Sequence, residues 1–253
     1  MRPGCGINAP GLVTGFACAG VSVVAVSAVL AFGVGGAWPV PVASLLAVLA
    51  VYPLGMCALM LYDRLVTKRA TADMLVSMVG CTGGEHALDV GCGRGRMLIG
   101  AARRLTSGHA TGVDLWRKQD QSAKTPVQTL AKARIAGVAD RVSVDTADMR
   151  DLPFPDAHFD VVLSNWAVHN LDAATDRTRA LAEMIRVLRP GGTLILSDIV
   201  HRQDYRTALA LLGLADLRII VASPTRDAVL RLVSFGSYQP AAVIGTRPHV
   251  ALP

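Results

Sequence analysis

The first sixty residues carry apolar side chains with no polar face at any period, and the pattern then changes character near residue 63. "GLVTGFACAGVSVVAVSAVLAFGV" (11–34) and "VASLLAVLAVYPLGMCALMLY" (42–62) are runs of 24 and 21 uncharged residues. About 20 apolar residues span the hydrocarbon core of a bilayer, so both runs predict transmembrane helices. "GGAWPVP" (35–41) supplies the turn between them, with Trp38 suited to the interface. Pro53 would kink the second span, which membrane helices tolerate. A cleaved signal peptide is the alternative for the first run, but its apolar core is too long and a second run follows directly.

Beyond residue 63 the apolar stretches shorten and alternate with helical patterns. Residues 65–79 read as an amphipathic helix with Leu65, Met74, Leu75 and Met78 as its apolar positions. "ALDV" (87–90), "ATGVDL" (110–115), "RVSVD" (141–145), "FDVVLS" (159–164), "TLILSD" (193–198), "DLRIIVA" (216–222) and "AAVIGT" (241–246) read as strands. Helices are expected near 125–137, 175–188 and 203–213, the second stopped by "RPGG". Apolar strands spaced by helices predict a doubly wound, mostly parallel α/β sheet of seven strands, preceded by two transmembrane helices. The last strand follows a helix-poor stretch, which leaves room for an antiparallel insertion.

Charge sharpens this division. Arg2 is the one charged residue before Asp63, so 24 of the 25 basic and all 19 acidic residues lie in 63–253. Arg2 precedes the first span and Arg64, Lys68 and Arg69 follow the second; positive flanks stay inside, so both termini are expected on the cytoplasmic side. The five cysteines form no CxxC or Cys/His cluster, which implies neither zinc nor a disulfide framework.

The candidate chemistry sits in "HALDVGCGRGRML" (86–98), where a strand runs into Gly91, Gly93 and Gly95 and then into a helix. Such a turn brings backbone close to a ligand at a helix N-terminus. A dinucleotide fold wants G-x-G-x-x-G, yet the third glycine position holds Arg96. Asp89 would repel a pyrophosphate and attract a ligand carrying ammonium and sulfonium charges. Asp114 ends the second strand 23 residues after Gly91, in place for ribose hydroxyls. Together these favour S-adenosylmethionine over NAD.

"ALDVGCGRGRML", "GVDLW", "ADMRDLPFPDAHFDVVLSNWAVHNL" and "LAEMIRVLRPGGTLILSDI" resemble the class I S-adenosylmethionine-dependent methyltransferases, nearest to their ubiquinone/menaquinone-biosynthesis-like branch. The resemblance covers about residues 70–246 and implies a Rossmann-like methyltransferase domain in 63–253 behind a membrane anchor in 1–62. It further implies that Asp89 and the backbone of Gly91, Cys92 and Gly93 face the methionine part of the cofactor, with Gly95 completing the turn. Asp114 would bind both ribose hydroxyls, with Leu115 packed on the adenine. Asp148 would contact the adenine amino group beside the Met149 backbone, and Asn165 and Trp166 would close over the cofactor. Bland alternatives stay open: Asp89 as a helix cap, Asp148 in an Asx-turn, Trp166 as core packing.

Methyl transfer needs mostly positioning, with a base added when the acceptor is a hydroxyl or an ammonium. His169, shortly past the fourth strand, is the candidate base; a histidine satisfied by nearby backbone is its alternative. The polar insertion "LWRKQDQSAKTP" (115–126) offers Arg117 and Lys118 to an anionic head group or reads as a solvated loop. Nucleic acid is not an expected partner, because the basic excess forms no stripe with aromatics. The fourth-strand "SNWA" also lacks the Pro-Pro-aromatic sequence in which methyltransferases of nucleobase amino groups resemble one another. The expected function is a membrane-anchored methyltransferase with a small, lipophilic acceptor. A non-catalytic S-adenosylmethionine-binding module and an NAD-dependent oxidoreductase are the competing readings.

Overall fold

The computed structural model describes residues 10–33, 39–62, 68–116, 125–221, 223–233 and 239–249. By its contacts the chain divides into two compact units, the first built on residues up to Ala70 and the second on Thr71–Gln119 and Ala123–Pro253. Arg2, Trp38, Asp63, Arg64, Leu65 and the 117–124 part of the polar insertion, on which some expectations rest, lie outside the described residues.

In the first unit α1 (Pro10–Gly33) and α2 (Pro39–Tyr62) pack on each other, with Pro53 inside α2. Their seam is made of small residues at a seven-residue spacing: Gly20 and Ser27 on α1, Ala43 and Ala50 on α2, all buried. Leu54 fills the space over Gly20, where a Cβ would stand 2.5 Å from its Cγ. Small residues allow helix backbones to approach closely where apolar burial alone gives no drive. The outward positions are large and apolar, with Phe32 exposed at 92% and Val48 at 67%. Among the described residues only Thr14–Phe32 is both long and apolar enough to cross a membrane; the apolar stretch of α2, Val40–Gly55, is shorter.

The second unit opens within α3 (Lys68–Ser77), which buries Leu75 and Val76. Met78, expected on the apolar face, lies beyond the helix and is 43% exposed. Then follow β1 (His86–Val90), α4 (Arg96–Ala102), β2 (His109–Asp114), α5 (Pro126–Ile135), β3 (Val142–Thr146) and β4 (Phe159–Asn165). After them come α6 (Ala174–Val187), β5 (Leu188–Asp198), α7 (Arg202–Leu211), β6 (Ala215–Ile220), α8 (Pro224–Val233) and β7 (Ala241–Thr246). The seven strands form one sheet in the order β3-β2-β1-β4-β5-β7-β6. Strands β1 to β5 pair in parallel, and β7 inserts antiparallel between β5 and β6.

Alternation along the strands serves two apolar layers. Ala87, Val161 and Ile195 point into the layer shared with α3 and α4, while Leu88, Val162 and Leu194 point into the one shared with α6 and α7. Both faces are therefore covered, as a largely parallel sheet requires.

Two elements differ from the sequence expectation. β5 begins at Leu188, directly after α6, and takes in "RPGG" as an irregularity between its pairings Phe159↔Leu188 and Val161↔Thr193. The stop signal thus turns the chain into a strand rather than a loop. The stretch before β7 holds α8, whose Leu230 is buried while Val229 and Leu232 are exposed. Asp227 near its start pairs with Arg202 at the start of α7, at 2.8 Å.

The turn after β1 is held from several sides. Thr129 of α5, fully buried, donates its hydroxyl to the Gly93 carbonyl at 2.7 Å, and its Cγ2 occupies the space a Cβ on Gly95 would need. Thr129→Val keeps the shape and leaves that carbonyl unpaired, a loss of about 1–3 kcal/mol. Thermal unfolding should show the lowered stability; an unchanged midpoint would mean the turn does not depend on this clamp.

Candidate active site

The strand order reverses between β1 and β4, and the carboxyl ends of both strands lie on one edge of the sheet. Ligands of open α/β sheets bind at such a switch point. Ser164 ties the two strands there, donating its buried hydroxyl to the Val90 carbonyl at 2.9 Å.

Gly91, Gly93 and Gly95 all adopt positive φ, at 71°, 51° and 73°. At Gly91 no side chain fits, because a Cβ would collide with the Cβ of Ala167 across the crevice and stand 3.7 Å from the Met149 methyl. Residues from the β1, β3 and β4 ends thus meet around one glycine. The amides of Gly91 and Cys92 both donate to the Val113 carbonyl, at 2.8 and 3.0 Å. Gly112 makes room for this fold-back: a Cβ there would stand 2.8 Å from the Cys92 sulfur.

Asp114 is buried at the end of β2, and both of its oxygens shape the turn. Oδ2 accepts the Gly93 amide at 2.9 Å and Oδ1 accepts the Trp116 amide at 2.7 Å. Leu115 between them is 37% exposed. Asp89 is buried one strand over and accepts the Leu98 amide at 2.9 Å, so it caps the first turn of α4. The capping reading of Asp89 is thereby realised. Burial lifts its carboxyl to about 7; the Leu98 bond opposes this and the nearby Asp114 charge adds to it. Two acids thus face one turn, and burial leaves one of them short of full ionisation near neutral pH.

Asp148 follows its bland alternative more closely. Its Oδ1 accepts the Arg150 amide at 2.9 Å, which is an Asx-turn, and the Arg150 guanidinium reaches both oxygens, at 3.0 and 2.7 Å. Arg150 continues to Asp176 of α6 at 2.8 Å. The acid is therefore engaged in fixing the loop after β3, and its oxygens already carry charge-assisted bonds.

Asn165 and Trp166 stand half-buried at the carboxyl end of β4, the Trp166 amide donating to the Ser197 carbonyl at 2.8 Å. Trp166 and Trp116 both have φ of 56°. A bulky residue in the left-handed region is uncommon and strained, and such strain gathers at functional sites. The indole of Trp116 donates to the Thr146 hydroxyl at 2.9 Å, bridging the ends of β2 and β3.

His169 lies in a single helical turn (Val168–Asn170) after β4, and its partner is a side chain rather than backbone. Its Nδ1 stands 2.5 Å from Oδ1 of Asp198, the buried last residue of β5. Sequence reasoning passed over Asp198, although it ends an apolar strand just as Asp114 does. Trp116 and Ala167 were also passed over, and no sequence signal marks either, since their roles come from contacts between strands.

This arrangement fits S-adenosylmethionine. Two buried carboxylates suit a cationic ligand and oppose a pyrophosphate, and the glycines at 91, 93 and 95 let the backbone turn tightly beside them. Residues 88–196 match the methyltransferase domain family. The 27-O-demethylrifamycin SV methyltransferase of Amycolatopsis mediterranei is 39% identical over 136 residues, 53% of this chain and 45% of that protein. Demethylmenaquinone methyltransferase of Symbiobacterium thermophilum is 36% identical over 115 residues, covering 44% of this chain and 41% of its own. The chain spans about half the length of the curated relatives it matches. Among solved structures, geranyl diphosphate C-methyltransferase of Streptomyces coelicolor, bound to S-adenosyl-L-homocysteine, shares the fold. Its TM-score is 0.58 at 20% identity, over 74% of this chain and 82% of that one. Residues 88–196 are thus similar to the methyltransferase domain family, and the sheet-bearing unit shares the fold of methyltransferases solved with S-adenosylmethionine or S-adenosyl-L-homocysteine.

Proposed function

We propose that this chain is a membrane-anchored enzyme that moves a methyl group from S-adenosylmethionine to a small, lipophilic acceptor. The observation that carries the cofactor half is the pair of buried acids, Asp89 and Asp114, on one glycine turn. When bound, the cofactor supplies a methyl group on a sulfonium, whose sulfur keeps the bonding electron pair and leaves as a neutral thioether.

The chain's own residues then bind, orient and exclude water. Asp114 keeps lone pairs for the ribose hydroxyls beyond the two amides it already accepts. Asp89 and the backbone from Gly91 to Gly95 hold the methionine part, and Leu115 lies against the adenine. Met149, Asn165 and Trp166 close the crevice from the β3 and β4 ends. Asp148 takes the adenine amino group through a remaining lone pair, in a position set by Arg150. His169 accepts the proton of an acceptor that must lose one.

Residues 1–62 serve as the anchor for the domain in 63–253. The apolar stretch Thr14–Phe32 and the small-residue seam between α1 and α2 support a pair of membrane helices. Basic flanks at Arg2, Arg64, Lys68 and Arg69 favour a cytoplasmic face for the domain. The name of the demethylmenaquinone relative supports a lipophilic acceptor.

The raised Asp89 gives the cofactor half a direct test. Without ligand, the folded protein below about pH 7 holds a proton on Asp89 that the unfolded chain releases near pH 4. This contribution to stability is therefore present in acid and fades as pH rises through 7. A bound cation favours the ionised form, so binding S-adenosylmethionine at pH 6.5 should release a proton. Calorimetric titration in two buffers of different ionisation heat reads that release, and Asp89→Asn should abolish it. Equal heats in both buffers for the unaltered protein would remove Asp89 from the cation's surroundings.

The anchor half is tested by truncation. Anchoring raises the effective concentration of a membrane-dissolved acceptor without adding a contact. A chain starting at Arg64 should keep its turnover on a short-chain, water-soluble acceptor and lose efficiency on the embedded one in vesicles. Equal ratios for both chains would rule out the lipophilic acceptor.

A further inference from the structure

Outside the cofactor turn, the carboxylate of Asp198 is closely engaged. Its side chain is 1% exposed, and its two oxygens receive four donors from three residues. Oδ1 takes Nδ1 of His169 at 2.5 Å and the Ile199 amide at 2.8 Å. Oδ2 takes the His169 amide at 3.0 Å and the Tyr205 hydroxyl at 3.3 Å. Burial pushes the Tyr205 phenol upward, and the Asp198 charge adds to this, so the hydroxyl stays a donor.

A buried carboxylate needs donors, and the two amides and the phenol would cap it adequately for the fold alone. The ring contact goes further. One residue, His169, grips both oxygens of the same carboxylate, through its amide and through its ring. That double grip fixes the imidazole's direction as well as its place. It also selects a tautomer: a neutral imidazole that donates from Nδ1 carries its lone pair on Nε2. The His169 side chain remains 22% exposed, so the ring is not sealed into the core.

We infer that Asp198 is a positioning residue, which holds the neutral His169 ring as its Nδ1–H tautomer and so makes Nε2 the atom that accepts a proton. The inference rests on the proposed role of His169 in methyl transfer, yet the tautomer exists without any cofactor or acceptor. Tyr205 is the third member, steadying the far oxygen of Asp198 from α7. Charges facing this group are Asp198 itself from β5, with Arg177 of α6 and Asp204 of α7 acting on Tyr205.

Nitrogen-15 spectra of the full chain in detergent micelles, labelled at its six histidines, read the tautomer directly. The signals lost in His169→Gln identify the residue. At a pH where the ring is neutral, His169 should show a protonated Nδ1 and an unprotonated Nε2. Asp198→Ala should lose this preference, while Tyr205→Phe, which touches only Oδ2, should keep it. A merely structural Asp198 would leave the tautomer of His169 unmoved in Asp198→Ala. Protonated Nε2 in the unaltered chain would overturn the inference without recourse to any variant. Binding of S-adenosylhomocysteine, measured on the same samples, separates this from the wider reading. If the unaltered chain binds none, the proposed function fails whatever the tautomer.

Discussion

The turn between β1 and α4 depends on carboxylates that accept backbone amides. Asp114 takes the amide of Gly93 from below and that of Trp116 from its own side, and Asp89 takes the amide of Leu98. Without these acceptors, the buried N–H groups of Leu98 at a helix start and of left-handed Gly93 would lose their carboxylate partners, as would the part-buried N–H of Trp116. The same carboxylates leave negative charge beside the glycine turn. Holding the turn and selecting a cation are thus two effects of one arrangement. Its cost shows at Asp89, where burial and the neighbouring acid lift the carboxyl to about 7.

The motif repeats at the far side of the crevice. Asp198 ends β5 as Asp114 ends β2, and it too accepts a backbone amide from the next residues while reaching a neighbour. For Asp114 the neighbour is the glycine turn; for Asp198 it is the ring of His169. Parallel strands place all of these acids on one edge, so the fold gathers them without any long-range pairing in sequence. The strained tryptophans lie there as well, Trp116 past β2 and Trp166 past β4.

Much of this was legible in the sequence, for physical reasons that also explain the gaps. Short apolar runs bounded by glycine, proline and aspartate marked the central strands β1, β4 and β5, because a strand covered on both faces has few ways to be polar. Asp89, Asp114 and the glycines stood out, since their spacing is local. The α8 helix did not, because "DLRIIVA" continues the apolar pattern of a strand to residue 222 and a Ser-Pro helix start at 223–224 is a short signal beside it. Asp148 carried two local options, and the Asx-turn with Arg150 is the one formed. The pairing of His169 with Asp198 spans 29 residues and needs β4 beside β5, which no local pattern encodes. The Trp166 amide likewise donates to the Ser197 carbonyl on the neighbouring strand, a contact that no local pattern encodes.

The central claim is that acid at this turn selects an adenosyl ligand bearing an ammonium group and rejects a pyrophosphate. Calorimetric titration of the full chain with S-adenosylhomocysteine and, separately, with NAD tests it most directly. The account requires saturable one-to-one binding of S-adenosylhomocysteine, weakened about tenfold or more in Asp114→Ala by the loss of charge-assisted contacts, with no binding of NAD. Saturable NAD binding, or an affinity for S-adenosylhomocysteine that Asp114→Ala leaves untouched, would contradict it.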